Sequence, residues 1–129
     1  MRILALAVLL AGPLKPPIIH EPFTPLPCPR HAVSTVDMEG CGEQKVLRSD
    51  RRIDTDVKAI FGLLAQSERR GFVAGEVAWL RYRRLSCNAE ATKFAGGTLG
   101  PVDDIGCVEG RNRSHLEDLA GTLTVLRQH

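Results

Sequence analysis

The segment Ala78–Cys87 constrains the fold more than any other part of the chain. It contains the only tryptophan, the only tyrosine and three arginines, and it contains no helix breaker. This composition predicts a helix from about residue 72 to residue 87, because its apolar residues recur at helical spacing. The buried stripe is expected to comprise four positions: Val73, Val77, Leu80 and Cys87. Trp79 and Tyr82 widen the apolar face and are expected to belong to the core.

Two further segments show helical periodicity. Helix 1 is predicted from about residues 40–41 to residue 66, with Asp50 in the middle of its apolar stripe. An unpaired carboxylate in that position would be costly, so Asp50 is predicted to form an ion pair with Arg83 of helix 2. Helix 3 is predicted from about residue 107 to residue 126 on its regularly spaced leucines. The connections are then a turn at residues 67–71 and a long irregular segment at residues 88–106.

Together these segments predict an all-α fold, a small antiparallel three-helix bundle linked by two disulfides. A chain of 129 residues is long enough for one domain with a modest core. In such a bundle the start of helix 1, the end of helix 2 and the start of helix 3 share one end. Cys41, Cys87 and Cys107 lie there, and Cys28 can fold back to join them. The opposite end, around residues 67–72, has no such link and is expected to be softer.

Four cysteines in a short chain with an apolar N-terminus indicate an oxidising compartment and disulfide bonds. Zinc binding is an alternative, but structural zinc ligands usually occur in close pairs, and these cysteines are far apart. Free thiols are the third possibility. Every pairing is sterically feasible, so the sequence alone leaves the connectivity open. We expect Cys28–Cys41 and Cys87–Cys107, because each closes a local loop beside a helix end and would stabilise the fold by about 3 kcal/mol.

The N-terminal 30 residues are expected to lie outside the folded domain. Residues 1–15 are predicted to be a signal peptide, since a basic start precedes an apolar run too short to span a bilayer. Proline stands at position 13, where a lipoprotein signal would have cysteine, so we expect export without a lipid anchor. An unprocessed apolar N-terminus is the alternative. Residues 16–30 contain six prolines and are predicted to be an extended linker, followed by the helical domain at residues 31–129.

No catalytic, cofactor or metal site is predicted. The four histidines are scattered, and neither a zinc-protease nor a serine-hydrolase motif is present. Gly96-Gly97 lacks the lysine of a phosphate-binding loop and is interpreted as a tight turn, and His115 as an ordinary, partly exposed helix histidine. Loss of Arg2 and Lys15 with the signal peptide would reduce 17 basic residues to 15, against 15 acidic ones. A neutral domain is not expected to attract nucleic acid.

Several segments resemble, in order, the LprI-like N-terminal domain family of lysozyme inhibitors from bacterial envelopes. They are Cys41, Asp50-x-x-Ile53, Ala78-Trp79-Leu80-x-Tyr82-Arg83-x-x-x-Cys87, Phe94-x-Gly96-Gly97-Thr98, Cys107-Val108 and Leu116-x-x-Leu119. The resemblance covers roughly Cys28 to Leu119 and implies a small disulfide-linked helical domain. Two positions depart from the family pattern: Arg84 stands where an acidic or amide residue is usual, and His115 where an arginine is frequent. The family label implies lysozyme inhibition.

The sequence therefore predicts a periplasmic or secreted protein that binds a partner protein without catalysis or cofactor, and without stable membrane insertion after processing. The resemblance makes lysozyme the candidate partner. Arg81 and Arg84 are expected to contact it by charge, and the Gly96–Asp104 loop, which includes Asp103 and Asp104, by shape. The ordinary alternative for these arginines is a solvated helix face, and the alternative function is a structural or accessory envelope domain.

Overall fold

The computed structural model describes residues 12–129, which form three long helices. These are α1 (Thr35–Leu63), α2 (Gln66–Ala91) and α3 (Leu99–Arg127), with a short 3-10 turn at Thr92–Phe94 between the last two. No strand occurs in this part of the chain. The predicted all-α, three-helix fold is confirmed. Residues 1–11 of the predicted signal peptide lie outside the described residues.

The first helical connection is shorter than predicted, and it lies elsewhere. α1 begins at Thr35 because Ser34 and Asp37 form a capping box: the Ser34 hydroxyl accepts from the Asp37 amide at 3.0 Å, and the Asp37 carboxylate accepts from the Ser34 amide. Only Leu64 and Ala65 separate α1 from α2. Glu68 then caps α2 by accepting from the Ala65 amide at 3.0 Å. The predicted turn at residues 67–71 is wrong, since those residues form the first turns of α2.

The predicted irregular segment at residues 88–106 is wrong over most of its length. α2 continues to Ala91, α3 already begins at Leu99, and only residues 95–98 between them lie outside any helix. Pro101 is compatible with α3 because it stands in the first turn, where an amide has no intrahelical partner. The predicted tight turn is present at Gly96, whose φ of 83° lies in the left-handed region that favours glycine.

Helix α3 is the central element of the bundle, since it packs against both α1 and α2, which make little direct contact with each other. α1 and α3 run in the same direction, because Gly42 faces Ile105 and Asp50 faces Asn112. The hydrophobic core lies between these two helices. Its buried members are Ile53, Val57, Ile60, Leu116, Leu119 and Leu123, and Ile19, Phe72 and Trp79 are among the partly buried residues that pack against it.

The proline-rich segment packs against the helices, whereas the sequence predicts an extended linker outside the domain. Residues 18–28, here called the N-terminal arm, run antiparallel to α1. The Ile19 amide donates to Asp54 Oδ1 at 3.0 Å, and the Leu26 amide donates to Glu43 Oε1 at 3.5 Å. The arm approaches α1 so closely that a Cβ atom at Gly40 would collide with the Pro27 carbonyl oxygen. The arm therefore supplies the α1 side chains with partners that α2 does not provide.

Both disulfides lie at one end of the bundle and have the expected pairing. Cys28–Cys41 joins the arm to α1, and Cys87–Cys107 joins α2 to α3. No cysteine among the described residues is free. The prediction of two disulfides is confirmed, and every element of the fold is covalently held to a neighbour at this end.

Candidate functional site

A buried polar cluster lies where α1, α2, α3 and the arm meet. The Arg83 guanidinium donates to Asp50 Oδ1 at 2.9 Å, as the sequence predicts, and also to Asn112 Oδ1 at 2.8 Å. Its second terminal nitrogen donates to Glu21 Oε1 on the arm at 2.6 Å. Arg83 is only 6% exposed, so these contacts replace water almost completely. Buried charges require such pairing, which makes Arg83 the residue that connects all four elements.

Asn112 holds the cluster in one geometry. Its amide nitrogen donates to Asp50 Oδ1 and to the Ser49 hydroxyl, both at 2.8 Å, and the side chain is fully buried. Since its oxygen accepts from Arg83, the amide satisfies a cation and an anion at once. Asn112 was not recognised from the sequence, although it lies four residues before Leu116 and on the same stripe of α3. A polar residue on that stripe is a signal for a buried hydrogen-bonded partner.

Two carboxylates, those of Asp50 and Glu21, share the single Arg83 guanidinium, and the pKa of Glu21 is raised. Burial, and next the hydrogen bond and charge of Asp50, raise the pKa of Glu21 to about 7, although Arg83 acts in the opposite direction. Burial against the arm also raises the pKa of Glu43 and of Asp54, while the arm amides that bond to them partly oppose the shift. Ionisation of these carboxyl groups therefore opposes the docking of the arm, because the charged groups lose water when the arm covers them.

A second buried pair joins α2 to α3. His115 Nε2 lies 2.8 Å from Glu76 Oε2, and both side chains are about one-tenth exposed. The Trp79 ring stacks on the His115 ring, with centroids 3.8 Å apart and an angle of 11° between the planes. The prediction of a partly exposed His115 is wrong, because the histidine is enclosed by Glu76 and Trp79. Glu76 gave no signal in the sequence, since its partner lies 39 residues away.

The buried face of α2 is rotated from the one predicted. Glu76, Arg83 and Cys87 are its buried residues, whereas Val77 and Tyr82 are each 53% exposed. The prediction that Tyr82 belongs to the core is wrong, while Trp79 does pack against the core cluster. The reason is physical: Glu76 and Arg83 each have an oppositely charged or hydrogen-bonding partner inside. Because these partners satisfy them, Glu76 and Arg83 turn inward, and apolar residues of α2 are left exposed to solvent.

These apolar residues form one continuous exposed surface, here called the α2 outer face. It consists of exposed residues at successive helical spacings of three and four, with Tyr82 and Arg84 at its edges: Ala74, Val77, Ala78, Arg81, Leu85 and Ala89. Arg81 forms no ion pair within the described residues. The nearby acids of α2 are occupied, because Glu76 pairs with His115, and Glu90 Oε1 lies 3.3 Å from Arg111. The face thus presents cationic arginine within apolar surface.

The four residues predicted to bind a partner do not form one site. Arg84 and Asp104 line a common groove of about 440 Å³ between the arm, α2 and α3. Arg81 lies on the α2 outer face, and Asp103 is half-buried in the first turns of α3, where neither lines this groove. Burial, and next the charge of Asp103, raise the pKa of Asp104. The predicted binding loop is absent as a loop, because both aspartates belong to α3.

Within residues 12–129, no cluster of three or more histidine, cysteine, aspartate or glutamate side chains is arranged to hold a metal ion. No helix in this part of the chain is long and apolar enough to cross a bilayer.

The fold and its surface define a class of protein: a small disulfide-linked helical domain with an exposed apolar, arginine-bearing helix face. Residues 28–119 match the family described as lysozyme inhibitor LprI. Because the match covers most of the chain, the protein belongs to that family, which confirms the resemblance carried by the Trp79–Cys87 segment. No curated protein and no solved structure matches the chain significantly.

Proposed function

We propose that this protein is exported to the bacterial envelope and inhibits lysozyme by binding it, without catalysing a reaction. The description of its family as lysozyme inhibitors supports this partner. The two disulfides support an oxidising location, either the periplasm or the exterior, because the cytosol keeps thiols reduced. The signal peptide predicted at residues 1–15 agrees with that location.

The α2 outer face is the surface that we assign to lysozyme. The observation that carries this assignment is the exposed Arg81, which is surrounded by apolar residues and has no ion-pair partner in the described chain. Lysozyme hydrolyses glycosidic bonds with a pair of carboxyl groups in its cleft. An arginine presented on a rigid helix can pair with such carboxylates, while Tyr82 and Leu85 bury apolar area beside it.

Insertion of a loop is less compatible with this structure. A plug for the cleft was expected at Gly96–Asp104, but in the connection between α2 and α3 only residues 95–98 lie outside any helix. Four residues present too little surface to fill a substrate cleft. A helix face such as α2 has its backbone already fixed in position, so less conformational entropy is lost when it binds.

The test is inhibition of lysozyme by the purified, oxidised protein in a cell-wall lysis assay. We expect dose-dependent inhibition by the wild type and about a thirtyfold weaker inhibition by the Arg81→Gln variant, since truncation of a central interface arginine typically costs about 2 kcal/mol. The Arg52→Gln variant is the matched control. It removes the same charge from an exposed position on α1 and should inhibit like the wild type.

Full lysozyme activity at saturating wild-type protein would contradict the proposal and favour the accessory envelope domain. If Arg81→Gln and Arg52→Gln weaken inhibition equally, the protein is still an inhibitor, but the α2 outer face is not its binding site. Circular dichroism on both variants verifies that the helices are intact.

A further inference from the structure

Charged side chains are sorted by face along α1. The carboxylates Glu43, Asp50 and Asp54 lie on the side that meets the arm, where they bond to Leu26, Arg83 and Ile19. The opposite, solvent-exposed side carries five basic residues, which we call the α1 basic face: Lys45, Arg48, Arg51, Arg52 and Lys58. At about 100° per residue, these five fall within about 140° of the helix circumference and extend over about 20 Å of its length.

The cations of the α1 basic face are not neutralised inside the protein. None of the five forms an ion pair with any described residue. Asp56, at the edge of the face, is the one carboxylate in this stretch that is not directed toward the arm, and it also makes no ion pair within the described chain. Arg48 stands three and four residues from Arg51 and Arg52, spacings at which like charges destabilise a helix. No ion pair within the described residues offsets this repulsion.

We propose that the α1 basic face docks the protein on the anionic phospholipid surface of the envelope membrane. A row of cations on one side of a straight helix matches a plane of negative headgroups, and each basic residue near such a surface strengthens binding by about fivefold. The helix stays in the headgroup region, because the face presents cations and no large apolar side chain that could insert into the acyl layer. Binding is therefore reversible and electrostatic.

Other anionic partners fit this face less well. Proteins that bind single-stranded nucleic acid stack bases on aromatic side chains between the cations. The only aromatic residue of α1 is Phe61, and the Arg69 guanidinium already lies 4.8 Å from the centre of its ring. A single phosphate group would need converging donors, but these five side chains are spread along the helix. A flat and extended anionic surface is the partner that their placement favours.

The experiment is co-sedimentation of the purified, oxidised protein with vesicles of phosphatidylglycerol and phosphatidylcholine, compared with vesicles of phosphatidylcholine alone. We expect binding to the anionic vesicles only. It should be lost when the salt is raised from about 0.1 M to about 1 M, because the screening length falls from about 10 Å to about 3 Å. Binding to both kinds of vesicle, or binding that resists salt, would overturn the proposal.

Two triple variants with the same net charge distinguish binding through the α1 basic face from an effect of net charge alone. Arg48→Gln/Arg51→Gln/Arg52→Gln should weaken binding to anionic vesicles by about a hundredfold. Arg70→Gln/Arg81→Gln/Arg84→Gln removes three exposed arginines from α2 and should change it by only a few-fold. Equal weakening by both would overturn the assignment to α1, as would tighter binding of the wild type to a DNA duplex through the same α1 arginines.

Docking on the membrane is independent of lysozyme binding, and the same variants separate the two. The α1 triple variant should inhibit lysozyme like the wild type, because none of its substitutions lies on the α2 outer face. If the wild type does not inhibit lysozyme, the vesicle experiment is unaffected. Circular dichroism and a melting temperature no lower than that of the wild type exclude unfolding as the cause of lost binding.

Discussion

In the half of the bundle that carries both disulfides, the buried side chains are mostly polar, whereas the buried side chains of the other half are mostly aliphatic. The first half contains Asp50, Arg83 and Asn112, with Val46 and Ile105 as its buried aliphatic residues. The second half contains the cluster of Ile53, Val57, Ile60, Leu116, Leu119 and Leu123. Glu76 and His115 are the buried polar pair that lies beside this cluster.

This difference indicates that the covalent links are placed where apolar burial is weakest. A buried ion pair adds little net stability, because desolvation cancels much of the Coulombic attraction. A disulfide that closes a loop of this length stabilises by about 3 kcal/mol, comparable to the burial of one or two large aliphatic side chains. We infer that the polar half depends on its disulfides and its hydrogen-bonded cluster, while the aliphatic half is held mainly by packing.

The largest effect is expected from Arg83→Leu, which leaves Asp50 and Glu21 buried without their cation. Removal of one partner of a buried pair typically costs about 3–5 kcal/mol, so we expect a loss of about 4 kcal/mol in the free energy of unfolding. Urea unfolding measures it. Arg84→Leu is the control: its exposed side chain should change the stability by less than about 0.5 kcal/mol.

A second set of variants tests the cause of that loss. Adding Glu21→Gln and Asp50→Asn to Arg83→Leu removes the uncompensated charges and should recover part of the stability. If the triple variant is even less stable than Arg83→Leu, lost packing of the arginine stem, and not unpaired charge, explains the effect.

Removal of the Cys87–Cys107 link should be the next largest effect. We expect Cys87→Ala/Cys107→Ala to lower the free energy of unfolding by about 3 kcal/mol, from the entropy of closing a loop with a sequence separation of 20. Hydrogen exchange should show early loss of protection in the polar half, while residues 53–60 and 116–123 stay protected.

This outcome would reverse the expectation from the sequence that the end around residues 67–72 is the softer one. Phe72 there packs against the aliphatic cluster, which a sequence-based comparison of cysteine positions does not reveal. Uniform loss of protection in both halves of the double variant would show that they unfold as one unit and that the comparison has no energetic basis.

A smaller effect is expected from pH, through the arm residue Glu21. Its pKa is 4.5 in the unfolded chain and about 7 in the fold, so its contribution to stability is complete below pH 4.5 and is lost as the pH rises through about 7. The melting temperature should therefore fall between pH 4.5 and about 7. Glu43, Asp54 and Asp104, whose pKa values are also raised, act in the same direction.

The Glu21→Gln variant shows how much of the pH dependence of the melting temperature comes from Glu21 of the arm. Its melting temperature should decline less over the same pH range, because glutamine does not titrate there. A melting temperature that rises with pH in the wild type, or an identical slope in Glu21→Gln, would contradict the link between arm docking and the ionisation of Glu21.

The sequence predicts those parts of the fold in which burial and apolarity coincide. The stripes of α1 and α3 are aliphatic and were recognised by their spacing, and the partner of Asp50 was recognised because a carboxylate on such a stripe needs one. The arm shows the limit of this reasoning. Its prolines correctly indicate a segment without helix, but docking depends on Glu21 and Ile19 meeting residues more than 30 positions away.

In α2 the same reasoning placed Cys87 correctly but Val77 on the wrong face, and this error also hid the candidate site. Apolar spacing placed Val77 inside, whereas Glu76 and Arg83 occupy the interior because they find partners on the arm, α1 and α3. Local patterns do not contain those partners. The exposed Val77 and Tyr82 were therefore assigned to the core, although they belong to the surface that we now assign to a partner protein.

The smallest effect is expected on this surface, from Leu85→Ala. Leu85 is 53% exposed, and alanine is the strongest helix former, so the free energy of unfolding should change by less than about 0.5 kcal/mol. Leu119→Ala makes the same chemical change in the aliphatic cluster, where the residue is 3% exposed, and should cost about 2–5 kcal/mol. Urea unfolding of the two variants compares the two environments directly. A loss above about 1.5 kcal/mol for Leu85→Ala would mean that the α2 outer face is covered in the folded protein and is not free to bind a partner.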